Sequence, residues 1–142
     1  MRRALQLAAR ARGRVSPNPI VGAVVVDDAG QIVGEGYHQK VGGPHAEVHA
    51  LRDAGTRARG STVYCTLEPC AHHGRTGPCA VALVEAGIRR LVCALEDPDA
   101  RVAGQGFAML REAGIVVELG AGADAAREQN AGYLRSEERR VG

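Results

Sequence analysis

The chain has 142 residues, 45% hydrophobic and 24% charged, the mixture of one compact folded domain; this excludes a disordered chain and leaves little room for a second domain. Lys and Arg number 18 against 16 Asp and Glu, a formal charge of +2 that is too balanced to mark a nucleic-acid surface, and with no Trp, one Phe and three Tyr there is little stacking surface for bases. No apolar run approaches the roughly 20 residues that span a bilayer, and Met1-Arg2-Arg3 leads into an amphipathic segment, so the sequence predicts a cytoplasmic protein whose partner is a small molecule, with neither nucleic acid nor membrane.

In chain order, residues 2–12 set Leu5, Ala8 and Ala9 among Arg2, Arg3, Arg10 and Arg12, a helical period with a basic outer face. Gly13 and Ser16-Pro17-Asn18-Pro19 end that helix, and the β-branched run from Ile20 to Val26 predicts a buried strand closed by the turn Asp27-Asp28-Ala29-Gly30. A second strand follows over Gln31–His38, then a loop at Val41-Gly42-Gly43-Pro44, a helix from His45 to about Arg57 and a strand over Ser61–Leu67. Glu68–Pro78 reads as irregular loop. Cys79–Arg90 returns to helical spacing, with Ala80, Leu83, Val84, Gly87, Ile88 and Leu91 on one stripe. The remainder predicts a strand at Leu91–Leu95, a helix at Gly106–Ala113, a strand at Ile115–Leu119 and a helix at Ala123–Leu134. Strands alternating with helices of this length specify an α/β sandwich with parallel pairing after the first hairpin.

The chemistry-bearing residues cluster unevenly. Cys65 and Cys93 lie inside apolar strands and read as small buried hydrophobes. Cys70 and Cys79 instead sit in or beside a loop punctuated by Pro and Gly, near His72 and His73, which points to a metal site and not a disulfide. In a helix starting near His45, Glu47 falls in line with Ala50, Leu51 and Ala54, so a carboxylate occupies the apolar stripe. An acid there either is a helix-end residue favoured by the macrodipole or, at a pocket edge, has the raised pKa of a proton shuttle. His45 lies roughly 200° around the helix from Glu47 and converges with it only from a non-helical entrance, which Pro44 favours. His49 falls on the outward face and reads as a surface residue; His73 and Lys40 have no assigned role.

His-x-Glu followed by Pro-Cys and a second Cys is the signature of zinc-dependent base deaminases. One neutral imidazole and two thiolates balance the charge of Zn²⁺ and leave a fourth tetrahedral position for water, whereas a structural site would close that position, with His72 or His73 as fourth ligand. The zincin protease pattern is a poor match, because Glu stands two places after His45 and not next to it.

The spacing within the cysteine pair narrows the class. Nucleoside, dCMP and tRNA-adenosine deaminases place two residues between their cysteines, whereas eight separate Cys70 from Cys79 here. The stretch resembles the deaminase domain of the diaminohydroxyphosphoribosylaminopyrimidine deaminases of riboflavin biosynthesis, in the cytidine deaminase-like superfamily. The likeness covers roughly residues 4–134, including Ser16-Pro17-Asn18-Pro19-Ile20-Val21-Gly22-Ala23-Val24, Gly34-Glu35-Gly36-Tyr37-His38, Pro44-His45-Ala46-Glu47-Val48, Thr66-Leu67-Glu68-Pro69-Cys70 and Val102-Ala103-Gly104-Gln105-Gly106. It implies a three-layer α/β/α sandwich around a central mixed five-stranded sheet, zinc on His45, Cys70 and Cys79, and Glu47 as proton shuttle. It also implies hydrolytic loss of the 2-amino group from 2,5-diamino-6-ribosylamino-4(3H)-pyrimidinone 5′-phosphate. By the same resemblance, Asn18 and His38 face the pyrimidine, and His72 and Arg75 lie near the ribose phosphate; the residues alone equally allow a turn Asn at 18 and a solvated Arg at 75. A homo-oligomer is expected.

Three departures from the family pattern stand out. Gly77 replaces the usual Pro, Asp99-Ala100 replaces Asn-Pro after Asp97-Pro98, and residues 135–142 do not resemble the family, which often continues into a nicotinamide-dependent reductase domain. That octapeptide matches the reading frame of a widely used sequencing-library adapter, so a translated adapter abutting a truncated reading frame is the expected origin, a native charged tail being the rival. The deaminase domain is set at 1–134, with no reductase domain and no NADPH-dependent reduction expected.

Overall fold

The computed structural model describes residues 1–15, 18–71, 79–99 and 102–135. Its elements run α1 (Arg2–Ala9), β1 (Gly22–Val26), β2 (Ile32–Tyr37), α2 (Ala46–Ala54), a 3₁₀ turn (Gly55–Ala58), β3 (Thr62–Cys65), α3 (Cys79–Glu85), β4 (Arg90–Cys93), α4 (Gln105–Glu112), β5 (Val116–Leu119) and α5 (Ala123–Gln129). The strands form one sheet in the order β2-β1-β3-β4-β5. β1 is antiparallel to both β2 and β3, and β3, β4 and β5 are parallel, so the sheet is mixed and five-stranded.

Alternation along β1 divides the core. Ala23 and Val25 face one way, into a cluster with Ala46, Ala50 and Ala54 of α2, Ala80 and Leu83 of α3, and Phe107 and Leu110 of α4. Val24 faces the other way, onto Ala4 and Leu7 of α1. On that second face α5 places Ala126 against Leu67, Ala94 and Leu95, with Met1 and Leu5 of α1 packed alongside. Helices thus cover both faces, and the three-layer sandwich is complete. Arg3 of α1 also pairs with Glu35 of β2, and this ion pair holds the Glu35 carboxyl below its ordinary pKa.

The helices lie close to the sheet because the strands offer bare backbone beneath them. A Cβ at Gly36 would sit 2.5 Å from the Ala46 carbonyl oxygen and 2.5 Å from the Ala50 nitrogen, and Gly34 faces Ala50 and Ala54 of the same helix. Gly22 plays the same part beneath α1, against Ala4 and Ala8.

Element boundaries differ from the sequence reading where a backbone turn intervenes. α3 ends at Glu85 and not near Arg90, because Gly87 adopts φ +73° and turns the chain into β4. The C-terminal helix breaks at Asn130, which leaves helical geometry at φ −108°, ψ 21°, before residues 131–135 resume it. His49 is half-buried and not at the surface, its Cβ resting on the strip that Gly36 leaves open.

Substituting Gly36→Ala should drive α2 off the sheet and destabilise the protein by about 1–3 kcal/mol, the usual cost of overpacking. Chemical denaturation of the two proteins measures it.

Candidate active site and metal centre

The candidate residues among those described gather at one end of the sheet. Because β1 is antiparallel to β3 and β2 antiparallel to β1, the residues before β1, after β2 and after β3 and β4 emerge on the same side. A cavity of about 250 Å³ opens there, lined among others by Asn18, His38, His45, Glu47, Cys70 and Asp97. This is the crevice beyond the carboxyl ends of parallel strands where α/β sheets commonly bind ligands.

His45 is the N-cap of α2, with extended backbone at φ −76°, ψ 167°, so its ring leaves the helix start from a non-helical position. Glu47 lies one residue into the helix, 3% exposed. The entrance geometry is what lets two residues that would diverge within a helix share one cavity. Burial pushes the Glu47 carboxyl above its ordinary pKa, against the opposing pull of His45.

The three candidate donor side chains meet. His45 Nδ1 lies 3.0 Å from Cys79 Sγ and 3.7 Å from Cys70 Sγ, and all three donor atoms fall within 4.8 Å of one another. A tetrahedral zinc ion with usual Zn–N and Zn–S bonds separates such a nitrogen and sulfur by about 3.6 Å; the Cys70 pair matches this, the Cys79 pair is closer, and the donor set fits the metal in chemistry. Among the described residues, this is the cluster able to hold an ion.

The start of α3 is docked onto Cys70. The Cys79 N–H donates to Cys70 Sγ at 3.2 Å and the Ala80 N–H to the Cys70 carbonyl at 2.9 Å, so backbone donors unpaired at a helix start are met by one cysteine. The Cys70 thiol pKa is lowered to about 4 by its hydrogen bond with Cys79, with His45 and the Cys79 backbone N–H adding. The same partnership with Cys70 pushes the Cys79 thiol up. His45 is raised, first by its hydrogen bond with Cys70. The two sulfurs are shifted in opposite directions by the one hydrogen bond they share, and a zinc ion held there would need both as thiolates.

His38 contacts the edge of the His45 ring at a centroid distance of 5.3 Å. Its Nδ1 donates to the Pro44 carbonyl oxygen at 3.2 Å, since a carbonyl only accepts. Burial holds the ring below its ordinary pKa, and the neutral ring accepts at Nε2 from Asn18 Nδ2, 3.2 Å away. Asn18 thus commits its amide N–H to His38 and keeps its Oδ1 acceptor for other partners at the cavity wall. His72 and Arg75, the expected phosphate contacts, lie outside the described residues, as does the segment 136–142. Cys65 and Cys93 are fully buried neighbours across β3 and β4, their sulfurs 4.0 Å apart; their mutual hydrogen bond and burial push the Cys65 thiol up, with the nearby Glu47 and Cys79 adding.

Glu68 was not singled out by the sequence reading. Its carboxylate is buried and accepts four backbone N–H groups: Asp97 at 2.9 Å, Gly104 at 3.0 Å, Gly106 at 3.0 Å and Phe107 at 3.4 Å. It ties the Pro69-Cys70 turn to the loop that carries Asp97 and to the start of α4. The signal available in the sequence was an acid ending an apolar strand directly before Pro-Cys.

With this geometry in hand, the comparisons define the class: the profile of the cytidine and deoxycytidylate deaminase zinc-binding region matches residues 1–95, and the chain belongs to that family. Within the family, it is 56% identical over 135 residues to the riboflavin biosynthesis protein RibD of Escherichia coli strain K12, covering 95% of this chain and 36% of that protein. It is 49% identical to the chloroplastic riboflavin biosynthesis protein PYRD of Zea mays, covering 94% of this chain and 34% of that one. The chain therefore spans about a third of the length of these relatives. The solved structure of Acinetobacter baumannii RibD superposes with TM-score 0.93 at 51% identity, over 96% of this chain and 38% of that chain.

Cys79→Ser should lower bound zinc well below the stoichiometric content of the parent, read by metal analysis after dialysis. If the parent is saturated at about 100 times its zinc Kd, chelation should remove roughly 2.7 kcal/mol of stability, seen as a fall in melting temperature. Glu68→Gln puts an N–H₂ group against backbone donors and should cost about 1–3 kcal/mol in denaturant unfolding.

Proposed function

We propose that the chain catalyses hydrolytic deamination of 2,5-diamino-6-ribosylamino-4(3H)-pyrimidinone 5′-phosphate to 5-amino-6-(5-phosphoribosylamino)uracil and ammonia, a step of riboflavin biosynthesis. The observation that carries this reading is the buried Glu47 carboxyl, which lines one cavity with His45 and Cys70 where the His45, Cys70 and Cys79 donors converge. Strong likeness to riboflavin biosynthesis proteins over nearly the whole chain supports the substrate.

In this reading His45, Cys70 and Cys79 hold zinc, which supplies Lewis acidity that brings the pKa of water toward about 7. Glu47 performs the proton transfers. As carboxylate it accepts a proton from the attacking water while the oxygen forms its bond to C2, and it delivers that proton to the adjacent ring nitrogen. It then takes the remaining hydroxyl proton and gives it to the departing amine; the C2–N bond breaks, ammonia leaves and the oxygen stays as the C2 carbonyl. Its raised pKa suits both directions, because a carboxyl nearer neutrality gives up a proton as readily as it takes one.

Asn18 and His38 are assigned to the pyrimidine edge. The hydrogen-bond chain from Pro44 through His38 supports Asn18 as the group that meets a ring N–H with its Oδ1, His38 acting behind it. His72 and Arg75 are assigned to the ribose phosphate, on the chemistry of a bidentate cation in the eight-residue insertion between the cysteines. We also assign residues 1–134 as the deaminase domain and 135–142 as foreign to it. The same reading includes cytoplasmic residence and a homo-oligomer. No helix among the described residues is long and apolar enough to cross a membrane, and the edge strand β5 leaves Val116 and Leu119 exposed.

The test is ammonia release from the diaminopyrimidine phosphate by the zinc-loaded chain, with cytidine and guanine as competitors. Glu47→Gln should keep its zinc and lose at least about 100-fold in kcat. Full activity in that variant, or preference for another base, would overturn the proposal.

A further inference from the structure

One wall of the cavity is a short extended segment held from far away in the sequence. Asn18, Pro19 and Val21 line the cavity, while the Ile20 side chain turns the other way to pack with Ala8, Ala11 and Val15. Ile20 lies ahead of β1, outside the paired strand residues. Its two backbone groups are met by a single side chain 110 residues downstream: Asn130 Oδ1 accepts from the Ile20 N–H at 2.8 Å, and Asn130 Nδ2 donates to the Ile20 carbonyl at 3.1 Å. A primary amide carries one acceptor and the donors of a peptide unit, so it fixes Ile20 as a neighbouring strand would. Asn130 is 5% exposed, which leaves little access for water to replace either bond.

The position of Asn130 in the chain matters equally. It is the break between α5 and the helical residues 131–135, and the turn it makes brings Tyr133 to the same cavity. Gln129 beside it anchors the same helix elsewhere, donating Nε2 to the Leu5 carbonyl of α1 at 2.7 Å.

We infer that Asn130 is a positioning residue for substrate: through Ile20 it sets where Asn18, Pro19 and Val21 stand, and so makes the C-terminal helix part of the binding site. The inference rests on the reading of the cavity as a pyrimidine site. Its prediction is a loss in substrate affinity without loss of the proton chemistry, because Glu47 and the metal donors are carried by other elements.

The experiment compares Asn130→Ala and Asn130→Asp with Gln129→Ala in the zinc-loaded full chain. Asn130→Asp keeps an acceptor for the Ile20 N–H but turns an oxygen toward the Ile20 carbonyl. Both Asn130 variants should raise KM by about tenfold or more with kcat within about twofold, and Gln129→Ala should leave KM unchanged. Amide hydrogen exchange at Ile20 should accelerate in the Asn130 variants and not in Gln129→Ala. An unchanged KM, a KM rise shared by Gln129→Ala, or failure of both Asn130 variants to fold or keep zinc would overturn the inference, the last because Asn130 would then be holding the fold. A parent chain that releases no ammonia from the diaminopyrimidine phosphate would sink the substrate reading alone. Exchange at Ile20 still decides on the pin in that case: unchanged protection overturns it, and lost protection with zinc retained supports it.

Discussion

Two helices begin at the same place, and the site depends on how their starts are satisfied. α2 begins just after His45, whose extended backbone sends the imidazole toward the cysteines, and α3 begins at Cys79, whose N–H points at Cys70 Sγ. Thiolate sulfur is a good acceptor for backbone donors, and those donors in turn favour the thiolate. The negative charge that a divalent ion needs is therefore prepared by the main chain as well as by the ligands themselves. Moving either helix start by one residue would separate the imidazole from the sulfurs.

Around this junction the sheet acts as a bracket. Its mixed pairing sends the segments before β1 and after β2, β3 and β4 to one end, so distant stretches of sequence supply opposite walls of one cavity. Two buried polar side chains then fix the loops that no strand pairing reaches. Glu68 gathers four N–H groups of the loop after β4 and the start of α4, and Asn130 holds Ile20. Both cases follow the rule that buried backbone groups find partners, with side chains serving where regular structure stops.

The order and type of the elements were legible in the sequence because they rest on local signals. The β-branched run at residues 20–26, the hairpin turn Asp27-Asp28-Ala29-Gly30 and the Pro before His45 each report on their own neighbourhood. The metal donors were legible for a similar reason: two loop cysteines and a His-x-Glu pair differ chemically from their surroundings. Helix ends were less so, since Gly87 and Asn130 sit within apolar periodicity that continues past the true break. The partners of Glu68 and Asn130 were not legible, because they lie 29 to 39 and 110 residues away and are backbone groups, which carry no sequence identity to read; only the place of Glu68 before Pro-Cys offered a signal. The half-burial of His49 is not legible from a helical wheel, because it depends on the bare backbone of Gly36 on the strand beneath, which lets the His49 Cβ approach.

The glycine strip on β2 has a consequence for how this site withstands drift. Where Gly34 and Gly36 meet α2, main chain rests on main chain, and the separation is set by atomic radii common to every sequence. The height of Glu47 above the sheet is accordingly decoupled from the volumes of the Val, Leu and Ala side chains elsewhere in the interior. Those can be exchanged over generations without retuning the carboxyl, so the rest of the interior is free to diversify around a buried acid whose seat stays fixed.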